Sequence, residues 1–429
     1  PLRSILLAGL LVIAGFLAYQ NSFSSPFLYD DHFFINNPHV IQHFSPLWKV
    51  LIPPNHFEPF AHRPLVTFSL ALNYHWTQLN PVSYHWVNLL IHLSNGLLLA
   101  AILRRTFTSA RLKSRYGPSA VGLSFIIALL WLVHPLQTES VTHIYQRAES
   151  LLAFCTFWVL YGVIRSAQTP YQRRWKLLAI TVCVLGMAGK QMMLVVPLLV
   201  LVYDWIYLSP SWKALVQARG RLYWAFLSTC LLIPLIVAST NQNNPTNAGF
   251  AFEGITPLAY LATEPGVLLH YLRLVFWPEP LILDYQWPLA TQARDIFFPA
   301  LILLLLLGMT IWTLRRHREA GFLGVWFFGF LLPVSSIFPT AYPAAEHRMY
   351  LPLAALLTLA VLGTFHLLRK IKSSHRTVYR TLTITLVLTT ASVWGYLTFE
   401  RNRDYQSEYS IWQDTVLHVP SNPHAHNNL

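Results

Sequence analysis

The chain has 429 residues, of which 54% are hydrophobic and only 11% are charged. A soluble protein of this length carries roughly 25% charged residues, so the composition excludes an ordinary soluble globular protein. Several apolar stretches approach the roughly 20 residues that a helix needs to cross a bilayer. The sequence therefore predicts an all-α, multi-pass integral membrane protein.

The positive charge of the chain is concentrated in short polar stretches between apolar ones. A formal net charge of +13 by itself would suggest a nucleic-acid partner. Short basic loops between membrane helices instead follow the positive-inside rule, so we expect these loops in the cytoplasm and no nucleic-acid partner. The basic stretches are residues 104–115, 165–176, 213–221, 315–318 and 369–380.

Taken in chain order, the apolar stretches predict about eleven membrane-spanning helices, with the N-terminus in the cytoplasm and the C-terminus outside. A secretory signal is the alternative for the first stretch, but no clear small-residue cleavage site follows it. The predicted helices are residues 4–20, 83–103, 119–134, 145–164, 177–189, 191–208, 222–240, 298–314, 321–338, 350–368 and 381–399.

The apolar segment GVLLHYLRLVF does not fit this alternation. It is short, it carries His270 and Arg273, and a proline-rich stretch follows it. A crossing here would move the basic residues 315–318 to the outer side, so we expect an interfacial or re-entrant element.

The predicted helices divide the chain into a membrane domain, residues 1–400, and a short polar region, residues 401–429. The membrane domain has a first outer loop at about 21–82 and an outer or re-entrant segment at about 241–297. The pattern P-x-N-x-x-A-H-x-N-L near the C-terminus resembles the lead-in to a tetratricopeptide repeat. One partial repeat cannot bury a core, so we expect that further repeats have been lost or lie beyond residue 429.

Polar side chains at the outer ends of the predicted helices are the candidates for a functional site. The stretch FLYDDHFFINNP places Asp30 and Asp31 beside the first helix, where an acid pair is costly unless something uses it. His85, Asn88 and His92 follow the spacing i, i+3, i+7 and share one helix face. Further candidates at helix ends are Arg147, Glu149, Lys190, Glu346, His347 and Arg348.

These residues belong to different helices but to one predicted side of the membrane, which predicts a shared polar cavity. The alternatives are structural: snorkelling cations, an Arg147–Glu149 ion pair, or helix capping by Asp30 or Asp31. The three-residue face lacks the compact spacing of two histidines and a carboxylate that a metal site favours. Cys155, Cys183 and Cys230 lie in apolar stretches and are expected to be packed thiols.

The order of these motifs resembles the TMTC-type proteins, which are transmembrane O-mannosyltransferases with tetratricopeptide repeats on the GT-C glycosyltransferase fold. The resemblance covers essentially the whole chain. Two departures are Gly189-Lys190-Gln191, where the family usually reads S-K-E, and a nearly absent repeat array. The matching segments are Tyr29-Asp30-Asp31, Arg63-Pro64-Leu65, His85/Asn88/His92, His134-Pro135 with Glu139, Arg147-Ala148-Glu149, and Glu346 to Pro352.

The resemblance implies transfer of a sugar, with mannose inherited from the family, from a polyprenyl-phosphate donor to a Ser or Thr hydroxyl of a protein. It also implies a catalytic carboxylate in the first outer loop. By analogy with the first acid of related acid-pair motifs we assign Asp30 as the general base, and Asp31 to orient the acceptor or a cation, but the sequence does not separate the two. The predicted donor-binding residues are Arg348, Lys190, Arg147, Glu346, His347, Arg63, His85, His92 and Glu149.

The phosphate leaving group needs cations and no protein acid, so neither a metal nor a cofactor is expected. The expected location is the bacterial cytoplasmic membrane, or the endoplasmic reticulum membrane in a eukaryote, with the site on the periplasmic or lumenal side. A transporter of lipid-linked sugars is one alternative, although no inverted repeat is seen and the polar residues lie on one side. A non-catalytic scaffold is another, although it leaves the acid pair unexplained.

Overall fold

The computed structural model of the protein describes residues 2–36, 39–42, 63–239, 254–370 and 376–429. The regular elements of these residues are helices. The principal ones are α1 (Leu2–Tyr19), α2 (Pro64–Thr77), α3 (Pro81–Phe107), α4 (Ala120–Leu132), α5 (Arg147–Gln168), α6 (Gln172–Met187), α7 (Val196–Tyr203), α8 (Trp212–Thr229), α9 (Leu232–Ser239), α10 (Pro257–Phe276), α11 (Ala293–Arg316), α12 (Arg318–Leu331), α13 (Pro352–Lys370), α14 (Arg376–Asp404), α15 (Glu408–His418) and α16 (Pro423–Asn428).

Eight helical segments among the described residues are long and apolar enough to cross a membrane. They confirm the predicted class, an all-α multi-pass membrane protein. The predicted total of eleven crossings and the orientation of the two termini stay predictions. The eight segments are Leu2–Ser24, Pro81–Phe107, Lys113–Leu132, Ile144–Gln168, Gln191–Leu208, Ala293–Arg316, Pro352–Arg369 and Thr381–Asp404.

Proline explains two differences between predicted and observed helix ends. The predicted helix at 222–240 is divided into α8 and α9, and α9 restarts at Leu232 so that Pro234 falls in its first turn, where no backbone hydrogen bond is lost. The predicted helix at 321–338 ends at Leu331, two residues before Pro333, because the residue preceding a proline disfavours helical geometry.

The segment predicted to be a short interfacial or re-entrant element forms the C-terminal part of a longer helix, α10, of 20 residues. It begins at Pro257, well before GVLLHYLRLVF, because the Thr256 side chain caps it by accepting a hydrogen bond from the Ala259 amide. The expectation that this segment does not cross the membrane stays a prediction. The predicted outer segments also include residues 37–38, 43–62 and 240–253, which lie outside the described residues.

The centre of the bundle is formed by α3, α4 and α5, which pack closely on one another. At Gly96 of α3 an added Cβ atom would lie 2.5 Å from the Leu132 side chain of α4, so only glycine allows this approach. Trp131 is fully buried there, and its indole nitrogen donates to the carbonyl of Tyr350 before α13. This packing fixes α3, α4 and α5 relative to one another and to the segment that precedes α13.

Residues from the first and the last long helix meet at the end of the bundle that carries Asp30 and Asp31. The Asn402 side chain of α14 donates to the carbonyl of Ala18 in α1, 3.0 Å away. Beyond α14, the short helices α15 and α16 turn back onto the first outer loop. A separate apolar cluster seals this contact, formed by Leu28, Tyr405, Ile411, Trp412 and Ala425.

Candidate active site

The two adjacent carboxylates after α1 have different surroundings. Residues Tyr29–Asp31 form one turn of 3-10 helix. Asp31 is buried, and its carboxylate accepts hydrogen bonds from the backbone amides of Leu28 at 3.0 Å and Tyr145 at 2.7 Å. Asp30 is only partly buried, and its carboxylate makes no hydrogen bond to the described residues. The turn thus fixes Asp31 and leaves Asp30 available.

The pKa values of both carboxyl groups are raised, chiefly by burial. Burial raises the pKa of Asp30 to about 6, and the negative charge of Glu139 adds to the shift, while His347 and Arg63 lower it. Burial raises the pKa of Asp31 to about 8, although its two backbone hydrogen bonds favour the charged form. Asp30 is therefore mainly a carboxylate at neutral pH, which is the form that accepts a proton.

A continuous chain of charged side chains lies beside Asp30. Glu139 accepts hydrogen bonds from the backbone amide of His347 at 2.8 Å and from its Nδ1 atom at 2.6 Å. The other ring nitrogen of His347 lies 3.8 Å from Glu149 Oε1. Glu149 Oε1 in turn forms an ion pair with the ammonium group of Lys190. Gln191 stands where the family usually has a glutamate. Lys190 nevertheless has a carboxylate partner, which is Glu149.

Three cations from three different segments converge on this chain. Burial lowers the pKa of Lys190, the Glu149 carboxylate raises it, and the positive charges of Arg63 and Arg348 lower it further, so both arginines are in electrostatic range of Lys190. The Arg63 guanidinium lies 5.6 Å above the ring of Tyr145 and donates one long hydrogen bond of 3.4 Å to its hydroxyl. Among the described residues Arg63 has no other hydrogen-bond partner, so most of its donors are left for a ligand.

Arg348 is held by the loop that precedes it. Its guanidinium donates to the carbonyl of Pro343 at 2.6 Å and to the hydroxyl of Thr340 at 3.0 Å. Because these hydrogen bonds use its donors, Arg348 contributes positive charge to the site and not free hydrogen-bond donors. Among the described residues, no group of three or more His, Cys, Asp or Glu side chains is arranged to hold a metal ion.

Three of the predicted donor-binding residues instead make contacts within the helix bundle. Arg147 is fully buried and donates to Asn88 Oδ1, to Asn73 Oδ1 and to the carbonyl of Tyr84, at 2.6 to 3.1 Å. His85 Nε2 donates to the carbonyl of Ser25 at 2.9 Å.

His92, on the same face of α3, uses both of its ring nitrogens inside the protein. Nε2 donates to the Leu132 carbonyl at 3.0 Å, and Nδ1 accepts from the Tyr350 hydroxyl at 2.7 Å. The structure therefore does not bring His85, His92 and Arg147 to the carboxylate of Asp30. Their hydrogen bonds instead connect α3 and α5 to Ser25, to α2 and to α4.

Glu346 also faces away from Asp30. Its carboxylate is buried and accepts from the Ile282 amide and the Tyr285 hydroxyl, at 2.5 and 2.7 Å. Burial raises the pKa of Glu346 to about 8. Its contacts tie the segment before α13 to the loop that follows α10.

Sequence reasoning missed the contacts that the C-terminal region, residues 401–429, makes with the acid motif, Tyr29-Asp30-Asp31. Glu408 of α15 accepts from the Tyr29 amide at 3.2 Å and from His32 Nε2 at 2.7 Å. The ring of Tyr29 packs edge-on against Trp412 and His424. No local pattern could have revealed these contacts, since nearly 400 residues separate the partners in the sequence.

No family model matches the chain. It is 24% identical to the protein O-mannosyl-transferase Tmtc3 of Drosophila melanogaster, over 100% of this chain and 53% of that protein. It is likewise 24% identical to the human protein O-mannosyl-transferase TMTC1, over 98% of this chain and 52% of that protein. The chain thus spans about half the length of these curated relatives.

Among solved structures, the chain resembles ArnT from Cupriavidus metallidurans bound to undecaprenyl phosphate. The TM-score is 0.54 at 16% sequence identity, covering 97% of this chain and 69% of that one. At this identity the likeness shows the fold alone, and the fold is that of the GT-C glycosyltransferases, as the sequence predicted. The chain is therefore similar in sequence to the TMTC protein O-mannosyl-transferases and shares the fold of ArnT.

Proposed function

We propose that the protein is an inverting glycosyltransferase that moves a sugar, mannose by analogy with its relatives, from a polyprenyl-phosphate donor to a Ser or Thr hydroxyl of a protein. One observation carries the proposal. The Asp30 carboxylate has no hydrogen-bond partner among the described residues, and the positive charge of Arg63 acts on it. Arg63 and Arg348 are in turn within electrostatic range of Lys190. A base opposite a cationic phosphate site is what such a transfer needs.

The reaction exchanges one bond at the anomeric carbon for another. The acceptor oxygen forms a bond to that carbon while its proton passes to the Asp30 carboxylate. The bond from the anomeric carbon to the phosphate oxygen breaks, and its electron pair leaves with the polyprenyl phosphate. Attack from the face opposite the leaving group inverts the anomeric configuration. The leaving phosphate is already a stable anion, so the protein needs to supply only positive charge to it.

The cations differ in what they offer the phosphate. Lys190 carries three N–H donors, of which the Glu149 pair takes one. Arg63 has a nearly free planar fork that fits two phosphate oxygens. Arg348 adds charge from a fixed position. The polyprenyl chain would stay in the bilayer beside the bundle, with the reacting groups at the outer, periplasmic or lumenal, surface.

Sugar transfer by the purified protein tests the proposal. Wild type, Asp30→Asn and Asp31→Asn are supplied with a panel of polyprenyl-phosphate sugars and a Ser/Thr-rich peptide. We expect transfer of mannose by wild type and its loss in Asp30→Asn. Equal transfer by wild type and Asp30→Asn would overturn the assignment of the base. Movement of the lipid-linked sugar across vesicles without any transfer would make the protein a transporter.

A further inference from the structure

A cavity of about 380 Å³ lies next to the acid motif, Tyr29-Asp30-Asp31. Its walls are the loop Asp284–Leu289 after α10, the loop Ala341–Ala344 before α13, and His424 of α16. Volumes of this order are typical of sites for small molecules or short chain segments, from about 300 to 1,000 Å³. None of its described lining residues is among the proposed catalytic or donor-binding residues.

The cavity is joined to the acid motif by direct contacts. Tyr342, in one wall, shares a hydrogen bond of 2.8 Å between its hydroxyl and that of Tyr29, the residue before Asp30. His424, in another wall, is close enough that its charge lowers the pKa of Asp30. A group bound in the cavity would therefore lie within reach of the proposed base.

The C-terminal region closes the cavity through a buried carboxylate. Asp284 is buried, and its Oδ2 atom accepts from Nδ1 of His424 at 3.0 Å. The backbone carbonyl of Asp284 accepts from the Asn422 side chain, also at 3.0 Å. The loop itself is strained, because Gln286 has a φ of 38°, and its amide donates to Asp284 Oδ1 at 3.0 Å. Strain of this kind concentrates at functional sites.

The chemistry of the walls differs from that of the donor side. The described lining residues include no Lys or Arg, whereas Arg63 and Lys190 lie on the other side of Asp30. The lining instead offers neutral hydrogen-bonding groups at Gln286 and Tyr342 and an aromatic face at Trp287, while its carboxylate, Asp284, is paired with His424. These surfaces suit an uncharged, hydrogen-bonding chain and not a phosphate.

We infer that this cavity binds the acceptor, an extended polypeptide segment that presents a Ser or Thr hydroxyl to Asp30. The inference rests on the proposed function and adds to it that the C-terminal region is part of the acceptor site. In this arrangement the first helices beyond α14 do two things: Glu408 holds the Tyr29 amide next to the base, and His424 forms one wall of the cavity.

Steady-state kinetics with a synthetic Ser/Thr-rich peptide and polyprenyl-phosphate mannose test this inference. The variants are Trp287→Ala and His424→Ala, one from each side of the cavity. His426→Ala is the matched control, because His426 lies on the same short helix but is exposed and bonds only to the Pro420 carbonyl. We expect the KM for the peptide to rise at least about tenfold in both variants, equivalent to one lost contact. The KM for the donor should stay unchanged.

Donor hydrolysis by water, measured without peptide, separates this inference from the proposed function. It should persist in Trp287→Ala, which does not touch the acid motif, and in the His426→Ala control. A wild type that transfers, together with variants whose peptide KM matches the control, would overturn the acceptor site alone. A rise in the donor KM would assign the cavity to the donor instead. A wild type with neither hydrolysis nor transfer would overturn the proposed function itself.

Discussion

Two polar regions of the molecule differ in how they use their hydrogen-bonding groups. The first, which we call the bracing group, consists of His85, His92 and Arg147. It donates to the Ser25 carbonyl after α1, to the Leu132 carbonyl of α4, and to amide side chains of α2 and α3. The second, the reaction cluster, consists of Asp30, Arg63 and Lys190, and it keeps free donors and a free carboxylate. Both regions belong to the sequence motifs of one family, so a motif alone does not separate structural from chemical roles.

The largest expected effect is on catalysis, in Asp30→Asn. The amide cannot take the acceptor proton, so we expect transfer to fall by about 10³-fold, as for loss of a general base. The variant should unfold at the same temperature as wild type, because the Asp30 side chain has no hydrogen bond among the described residues to lose. Parallel measurements of transfer and of thermal unfolding in detergent check both parts.

Asp31→Asn gives the opposite pattern if the two carboxylates are correctly distinguished. Its side chain accepts from the Leu28 and Tyr145 amides, and the amide nitrogen of Asn cannot accept from the second of them. We expect about 1–3 kcal/mol of lost unfolding free energy, the cost of one buried unsatisfied donor. A variant that is stable yet loses transfer as fully as Asp30→Asn would place the base at Asp31.

The bracing group predicts a comparable loss of stability with no requirement for charge at the reaction. In Arg147→Met the acceptors Asn73 Oδ1, Asn88 Oδ1 and the Tyr84 carbonyl lose their donor, and we expect a cost of about 3 kcal/mol or more. Arg403→Ala is the control, since Arg403 is exposed, and its contacts among the described residues are an ion pair with Glu400 and the ring of Phe399. The measurement is the denaturation midpoint of both variants.

Long-range contacts explain why the sequence predicts the fold better than the site. Apolar length alone predicts α1 or α11, because a helix in hydrocarbon must satisfy its own backbone. The helical spacing of His85 and His92 correctly predicts a shared face. It cannot tell that the Ser25 and Leu132 carbonyls face that side and accept hydrogen bonds from the two histidines. The roles of Asp30 and Asp31 depend on which carboxylate meets the Tyr145 amide.

A smaller effect is expected at the cations of the reaction cluster. Arg63→Ala removes a donor of charge-assisted hydrogen bonds to the phosphate, so the KM for the polyprenyl-phosphate donor should rise by about tenfold to a hundredfold. Arg273→Ala is the matched control, because Arg273 is an exposed outer arginine at the end of α10. A donor KM that responds equally in both variants would mean only a general effect of surface charge.

The smallest effect is a shift in pH dependence, and it tests the base and its neighbours together. Asp30 must be deprotonated to act, and its pKa is about 6, so kcat/KM should fall tenfold per pH unit below pH 6. The positive charge of Arg63 lowers this pKa, and its removal favours the protonated acid. In Arg63→Ala the acid limb should therefore move to higher pH, while in Arg273→Ala it should stay. A limb at the same pH in all three proteins would mean that the group titrating there is not Asp30, because the pKa of Asp30 responds to the charge of Arg63.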